Sequence, residues 1–343
     1  MKKRMRALLA FLLCAAVAMA VAGCGTGRED PPPGGDPSGG NEEQPAVHEV
    51  FADSDFATGF DILGTGYDSE GNVSQAERGV KKSIRFGRSD PAWSVAQWYS
   101  DYNLDQSDYV LNEETFSIAD TSKSVSVDRA TGAITLAMNA AKEYDRVQNA
   151  SSLGVYWPHL LVAPKNTVPV PIADCETMTV YLDFVINKSE HHAADFGAER
   201  PGLQAQFAWF VYVQNTNEES AGYGEFLWFG FNLYDPTQLY APHNEQQDFA
   251  GGNAGNYIYT LGAVECIGTE RVKVGERTGF EMDLIAAVEQ GLAAAHEAGF
   301  MTNSTAEDCS ITGMNIGYEM FDVWDISTTI YDMGVSYTLK EAQ

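Results

Sequence analysis

Two long alternating segments constrain this chain more than any other feature. They are LQAQFAWFVYVQ (203–214) and GEFLWFGFNLYD (224–235), separated by the polar stretch NTNEESAGY. Alternation of this length specifies β-strands, because successive side chains point to opposite faces of a strand. In the first segment Leu203, Ala205, Phe207, Trp209, Val211 and Val213 share a face, opposite Gln204, Gln206, Ala208, Phe210, Tyr212 and Gln214. In the second, Leu227, Phe229, Phe231 and Leu233 oppose Phe226, Trp228, Gly230, Asn232 and Tyr234. One face of each is plain core. The other mixes aromatics with amides, which an ordinary solvent face does not.

The same pattern recurs on both sides of this pair. Met178, Val180, Leu182, Phe184 and Ile186 of MTVYLDFVINK form a core face, with Thr179, Tyr181, Asp183, Val185 and Asn187 opposite. In ITGMNIGYEMF, Thr312, Met314, Ile316, Tyr318 and Met320 alternate against Gly313, Asn315, Gly317, Glu319 and Phe321. TIYDMGVSYTL closes the chain with an expected apolar face of Tyr331, Met333, Val335, Tyr337 and Leu339. Shorter strands are predicted at 81–88, 95–99, 115–120, 123–128, 132–138, 256–261 and 271–274, joined by turn residues. The segment 154–163 is a further strand. Pro158 inside it removes a ladder donor, which predicts an edge strand or a bulge. One accessory helix is expected near 281–298, where Ile285, Val288, Leu292 and Ala295 recur at helical spacing and Gly299 supplies the stop. Many strands, one helix and no βαβ rhythm predict an all-β fold, an antiparallel β-sandwich. With no second Pro/Gly/Ser linker, residues 46–343 read as one domain.

The start of the chain has a separate character. A basic opening and a short apolar run over 1–23 form a secretory leader. The run is too short for a permanent membrane span. Residues 24–45, rich in Gly, Pro and acids, cannot bury a core and read as a disordered tether. Formal charge is −27, and losing the leader's four basic residues takes it to −31. Such a surface repels nucleic acid, and polyanionic glycans too unless a local basic pocket or a metal intervenes. Beyond Cys14 and Cys24, the chain holds Cys175, Cys266 and Cys309, an odd set without metal-ligand spacing. They allow at most one disulfide, or three free thiols.

Two resemblances add to this reading. Val21-Ala22-Gly23-Cys24 resembles the lipobox of bacterial lipoproteins. It implies cleavage before Cys24, a lipid on its sulfur, and an extracytoplasmic chain anchored to the cell membrane. The elements QW…WPHLLV, FLWFGFNLYD, the Gly-rich loop before NYIYT, and ITGMNIGYEMF…MGVSY resemble jelly-roll domains of the concanavalin-like or carbohydrate-binding kind. That implies a glycan-associated role and transfers no catalytic residue. The paired acidic motif of family-sixteen glucanases is absent.

The chemistry is sought on the mixed faces. If the four long strands share one sheet, that face collects Tyr181, Asp183, Gln204, Gln206, Tyr212, Trp228, Asn232, Tyr234, Asn315 and Glu319. Gly230, Gly313 and Gly317 would leave room there. Aromatic rings stack on the C–H faces of sugars, and amides or carboxylates bind their hydroxyls. The opposing expectation is a second core, with a helix or loop laid over the aromatics. Catalysis would need Asp183 and Glu319 about 5–10 Å apart. His159, His191, His192 and His243 are the remaining candidates, with Asp195 as a possible metal partner of the His191–His192 pair. Asp53, Asp55 and Asp61 match no EF-hand loop and read as a solvated acidic loop. A structural calcium ion is compatible with the composition, but no ligand set is legible, and no other cofactor is expected. Three functions follow: a non-catalytic glycan-binding lipoprotein, a glycoside hydrolase or polysaccharide lyase, or an adhesive surface protein.

Overall fold

A computed structural model describes residues 45–148, 157–198, 203–248, 255–268 and 271–341. The leader, Cys24, the tether up to residue 44, the start of the 154–163 strand and the Gly-rich stretch before Tyr257 lie outside the described residues. From Pro45 onward the described chain is a β-sandwich of the jelly-roll type, with strands numbered β1 to β18 along the sequence.

One sheet has eight strands. In spatial order they are β16 (Arg277–Asp283), β11 (Cys175–His191), β18 (Trp324–Leu339), β8 (Ile134–Asn139), β7 (Lys123–Asp128), β6 (Thr115–Ala119) and β5 (Tyr109–Leu111), with β1 (Val47–Glu49) on the C-terminal part of β18. The other sheet has ten. Their order is β14 (Asn244–Gln247), β15 (Tyr257–Leu261), β13 (Phe226–Tyr234), β12 (Ala205–Asn215), β17 (Cys309–Met320), β9 (His159–Pro164), β4 (Trp93–Ala96), β2 (Gly59–Leu63) and β3 (Val80–Arg85), with β10 (Val170–Pro171) beside β17. Pairing is antiparallel throughout except for β13–β15 and β2–β4, which run parallel.

The alternation read from the sequence sets the core. Phe207, Trp209, Val211 and Val213 of β12, Leu227, Phe229 and Phe231 of β13, and Met314, Ile316 and Tyr318 of β17 are buried against Val180, Leu182, Phe184 and Ile186 of β11 and their neighbours. The Tyr318 hydroxyl crosses between sheets to Thr328 of β18, satisfying a polar group that burial would otherwise penalise. Gly317 lets β9 and β17 close up: its φ is +149°, and a Cβ there would collide with the Leu160 carbonyl oxygen.

The described residues also form a five-residue helix α1 (Ala263–Ile267) and the longer α2 (Leu284–Glu297), which starts at Asp283, whose carboxylate accepts from the Ile285 and Ala286 amides at 2.9 and 3.2 Å. Residues 281–283, expected at the helix start, belong instead to β16. Leu284, Ala287, Val288, Gly291, Leu292 and Ala295 are buried. A Cβ on Gly291 would meet the rings of Phe229 and Tyr259, about 3 Å away. Both rings point into the core, so α2 packs on the inner side of the ten-stranded sheet.

Several local expectations change. Pro158 does not mark an edge. It precedes β9, which lies between β17 and β4, and its carbonyl accepts the Met320 amide at 3.1 Å. Residues 271–274 form no strand. In β18 an irregularity opposite Asp183–Phe184 shifts the phase. Ile326, Ile330, Met333 and Val335 are buried, while Tyr331 and Leu339 are exposed. The three described cysteines are free thiols. Burial pushes Cys266 and Cys309 up to about 12, which leaves both protonated and unreactive near neutrality.

Candidate functional site

The outer face of the ten-stranded sheet gathers the mixed side chains of four central strands. Register fixes their neighbours. Gln206 of β12 opposes Glu319 of β17, Ala208 opposes Gly317, Phe210 opposes Asn315 and Tyr212 opposes Gly313. On the other side of β12, Asn232, Gly230 and Trp228 of β13 oppose Ala208, Phe210 and Tyr212. His159 of β9 opposes Glu319. From Gly313 to Glu319 the face runs about 20 Å along β17.

One end is an aromatic block. Trp228 stands nearly perpendicular to Tyr212 and Phe226, with ring centroids 4.9 Å from each, and to Phe210 at 6.1 Å. These are favourable edge-to-face contacts. The room expected above two glycines is filled by these rings. A Cβ on Gly230 would lie 2.7 Å from Phe210, and one on Gly313 2.7 Å from Tyr212. The rings therefore press onto the backbone, and all four are partly buried. The Trp228 indole donates to Asp248 at 3.1 Å. Asn315 donates to the Tyr212 hydroxyl at 2.9 Å. Burial pushes the Tyr212 phenol up to about 12, which removes it as a base near neutrality. Asn232 donates to the Pro242 carbonyl at 3.0 Å, holding the loop after β13, and its buried Oδ1 has no partner among the described residues.

The other end is polar. His159 Nε2 lies 3.6 Å from Glu319 Oε1, with its Nδ1 2.8 Å from the Trp157 carbonyl. Gln204 donates to Gln206 Oε1 at 3.1 Å. Trp98, whose carbonyl accepts the His159 amide, projects to the same side, and its ring centroid sits 6.0 Å from that of His159. Trp157 stacks on Phe321 at 4.3 Å. Trp98, Tyr99, Trp157 and Arg78 were not among the residues expected here. The segments QW (97–98) and WPH (157–159) were their only sequence signal.

Three expected members are elsewhere. Tyr181 and Asp183 belong to β11, in the opposite sheet. They border an open depression of about 470 Å³ with Arg277, Glu281 and Asp332. Asp183 is held by the Arg277 guanidinium at 2.6–2.8 Å, and the Tyr181 hydroxyl bonds the Glu49 carboxylate. Sheets in a sandwich stack about 10 Å apart. Asp183 and Glu319, pointing outward from different sheets, therefore cannot meet across one sugar bond. Tyr234 is lost to the core by an irregularity at Phe207–Ala208, which pairs it with inward-facing Phe207.

The remaining histidines are spoken for. His243 sits between Glu245 (2.9 Å) and Glu265 (3.0 Å) at the β14 edge. Burial lowers its pKa, but hydrogen bonds and charge from both carboxylates outweigh this and raise it overall. His191 stacks on Trp324 at 4.4 Å. His192 Nδ1 meets Asp195 at 2.8 Å, as the sequence suggested, and Glu190 and Asp325 bring ligand atoms within 4.8 Å of one another and of His192. Lys188 already bonds both carboxylates, at 2.8 and 3.2 Å, and supplies the positive charge a metal would bring. The acidic loop near 53–61 is structural. Asp53 accepts from Ala57 and Thr58, and buried Asp61 pairs with Lys165.

On β4, β9, β17, β12, β13 and β15, Glu319 is the one acidic residue within the strands. Its registered neighbours are Gln206 and His159. Asp61 is the acid of β2, three strands from β17, or about 14 Å across the sheet before any offset along it. That exceeds the span of either two-carboxylate geometry.

No protein-family model matches the chain, and no curated protein matches it in sequence. Similar solved structures include a metagenome-derived glycoside hydrolase family 12 endoglucanase (10% identity, TM-score 0.35, covering 66% of this chain and 92% of that one). Others are endoglucanase Cel12A from Rhodothermus marinus (11%, TM-score 0.36, 68% and 97%) and a family 12 xyloglucanase from Bacillus licheniformis (10%, TM-score 0.38, 71% and 99%). At these values the likeness assigns no role to any residue of this chain, and the fold assignment rests on its own strand order.

Proposed function

We propose that this chain is a glycan-binding lipoprotein that does not itself cleave its ligand. The observation that supports this most is the outer face of the ten-stranded sheet. It carries a partly exposed aromatic block and the amides Gln204 and Gln206, with Asn232 and Asn315 buried between them, and on its six strands from β4 to β15 Glu319 is the one carboxylate, registered against an amide and an imidazole. Aromatic faces and fixed amides suit sugar rings. Hydrolysis by the two-carboxylate route needs a second acid that these strands do not supply. A helix over the face would have favoured a second core, but α2 packs on the inner side. The lipid on Cys24 and the tether belong to the same proposal: the acyl group holds the chain at the membrane and residues 25–45 let the sandwich stand away from it.

Affinity electrophoresis against a panel of soluble polysaccharides tests binding, and a reducing-end assay on the same panel tests cleavage. The expected result is retarded migration on at least one polysaccharide with no reducing ends released. Release that Glu319→Gln abolishes would replace this reading with a hydrolase, and neither retardation nor release would favour the adhesive reading. For the anchor, Cys24→Ser is expected to shift the protein out of the membrane fraction. Retention there would rule out the lipid.

A further inference from the structure

The polar end of the face holds a cation, Arg78, that pairs with no carboxylate among the described residues. Arg78 ends the short helical turn 75–78 between β2 and β3. Its guanidinium carbon lies 5.1 Å from the Trp98 ring centroid and 4.9 Å from that of Tyr99, and a terminal nitrogen donates to the Tyr99 hydroxyl. The adjacent acid, Glu77, is taken by Lys81 at 2.6 Å. Arg78 Nε is buried with no acceptor among the described residues, and so are the indole nitrogens of Trp98 and Trp157. All three belong to the cluster around His159 and Glu319: Trp98 packs on His159, and the Trp157 carbonyl contacts His159 Nδ1. A buried donor left without an acceptor is costly, because it has given up its water partners. The Arg78 side chain as a whole is only partly buried, so its guanidinium can meet a ligand that brings acceptors.

We propose that Arg78 forms a subsite for the carboxylate of an acidic sugar residue on an otherwise largely neutral glycan. This rests on the glycan-binding reading above. A carboxylate only accepts, which matches the charged guanidinium of Arg78. Sugar hydroxyls can accept from the same N–H groups, but they bring no charge to offset the guanidinium. A guanidinium fork suits a carboxylate in its plane, and stacking on Trp98 and Tyr99 holds that plane. The chain's charge of −27 sets the limit on ligand charge. One arginine offsets one carboxylate, while a densely charged polyuronate meets repulsion from the rest of the surface. The ligand class is therefore a neutral backbone with sparse uronate substituents.

Calorimetric titration of the wild-type protein with a uronate-substituted polysaccharide, and with the same material after reduction of its carboxyl groups to neutral hexose, tests this. At low ionic strength the acidic form is expected to bind roughly tenfold tighter, as one charge-assisted contact allows. The ratio should shrink with added salt. In Arg78→Gln it should fall to about one, with Arg78→Lys intermediate, the fold of each variant being checked by circular dichroism. Equal wild-type affinity for the two forms overturns the subsite and leaves glycan binding standing. Binding of neither form removes both. A ratio that survives in Arg78→Gln places the carboxylate away from Arg78 and also overturns the subsite. If Arg78→Gln does not fold, the wild-type ratio and its salt dependence decide.

Discussion

Lys123→Ala is expected to destabilise the fold by about 3–5 kcal/mol, the cost of stranding buried charges when one partner is removed. The Lys123 side chain is 0% exposed, and those of Asp120 and Glu143 are 7% and 2% exposed. Its ammonium donates to Asp120 at 2.6 Å, to Ser100 Oγ at 2.6 Å and to the Tyr102 carbonyl at 2.7 Å, with Glu143 at 4.0 Å. Burial drives the Lys123 pKa down, while Asp120, Glu143 and Asp105 pull it back up. Glu143 also accepts from Ser100 and the Asp101 amide, so the cluster fastens residues 100–102 directly behind Trp98 and Tyr99 of the functional face. Urea unfolding followed by tryptophan fluorescence measures the loss. The double variant Lys123→Met/Asp120→Asn should recover a large part of it, since no net charge is then stranded at that pair. A single-variant loss below about 1 kcal/mol, the range of exposed ion pairs, would show that the cluster is solvated.

Trp228→Ala is expected to weaken glycan binding roughly thirty-fold, about 2 kcal/mol, the scale of a central aromatic anchor. Trp228 is the ring that Phe210, Tyr212 and Phe226 all touch edge-on, so its removal also loosens the other three. Asp248 then loses the indole donor that ties its loop to the face. Trp228→Phe should retain part of the affinity. Tyr331→Ala is the matched control: it removes an exposed ring from the opposite sheet, where Tyr331 lies under Arg277, and binding should not change. Wild-type affinity in Trp228→Ala, measured on a glycan the native protein retards, would mean that the ligand lies elsewhere.

The chain's own pattern was most legible where the controlling interaction is local. The inward faces of β12, β13, β17 and most of β11 follow from alternation, because the pleat forces successive side chains apart wherever the strand is paired. The aromatic and amide face of β12 and β13 was legible for the same reason. Alternation counts residues, however, and an irregularity in pairing resets the count. The break at Phe207–Ala208 sent Tyr234 inward, and the one opposite Asp183–Phe184 changed the phase of β18. Nothing in the local residues announces either break.

Sheet membership is not written in the local pattern. Met178–Lys188 has the texture of β12 and β17, yet it packs across the core from them, carrying Tyr181 and Asp183 to the far surface. Either sheet would bury its apolar face equally well, so its own sequence does not choose between them. Arg78, Trp98 and Trp157 met His159 only because β4, β9 and the turn before β3 come together from segments far apart in the chain. Side-chain period therefore carries the strand-rich class, the inward faces and the character of the Leu203–Asp235 pair. Tertiary structure alone decided which strands share a sheet, that α2 packs inside rather than over the aromatics, and that Glu319 faces Gln206 instead of a second acid. Those outcomes depend on pairing between distant segments, and a strand's backbone hydrogen bonds carry no record of which partner will take them.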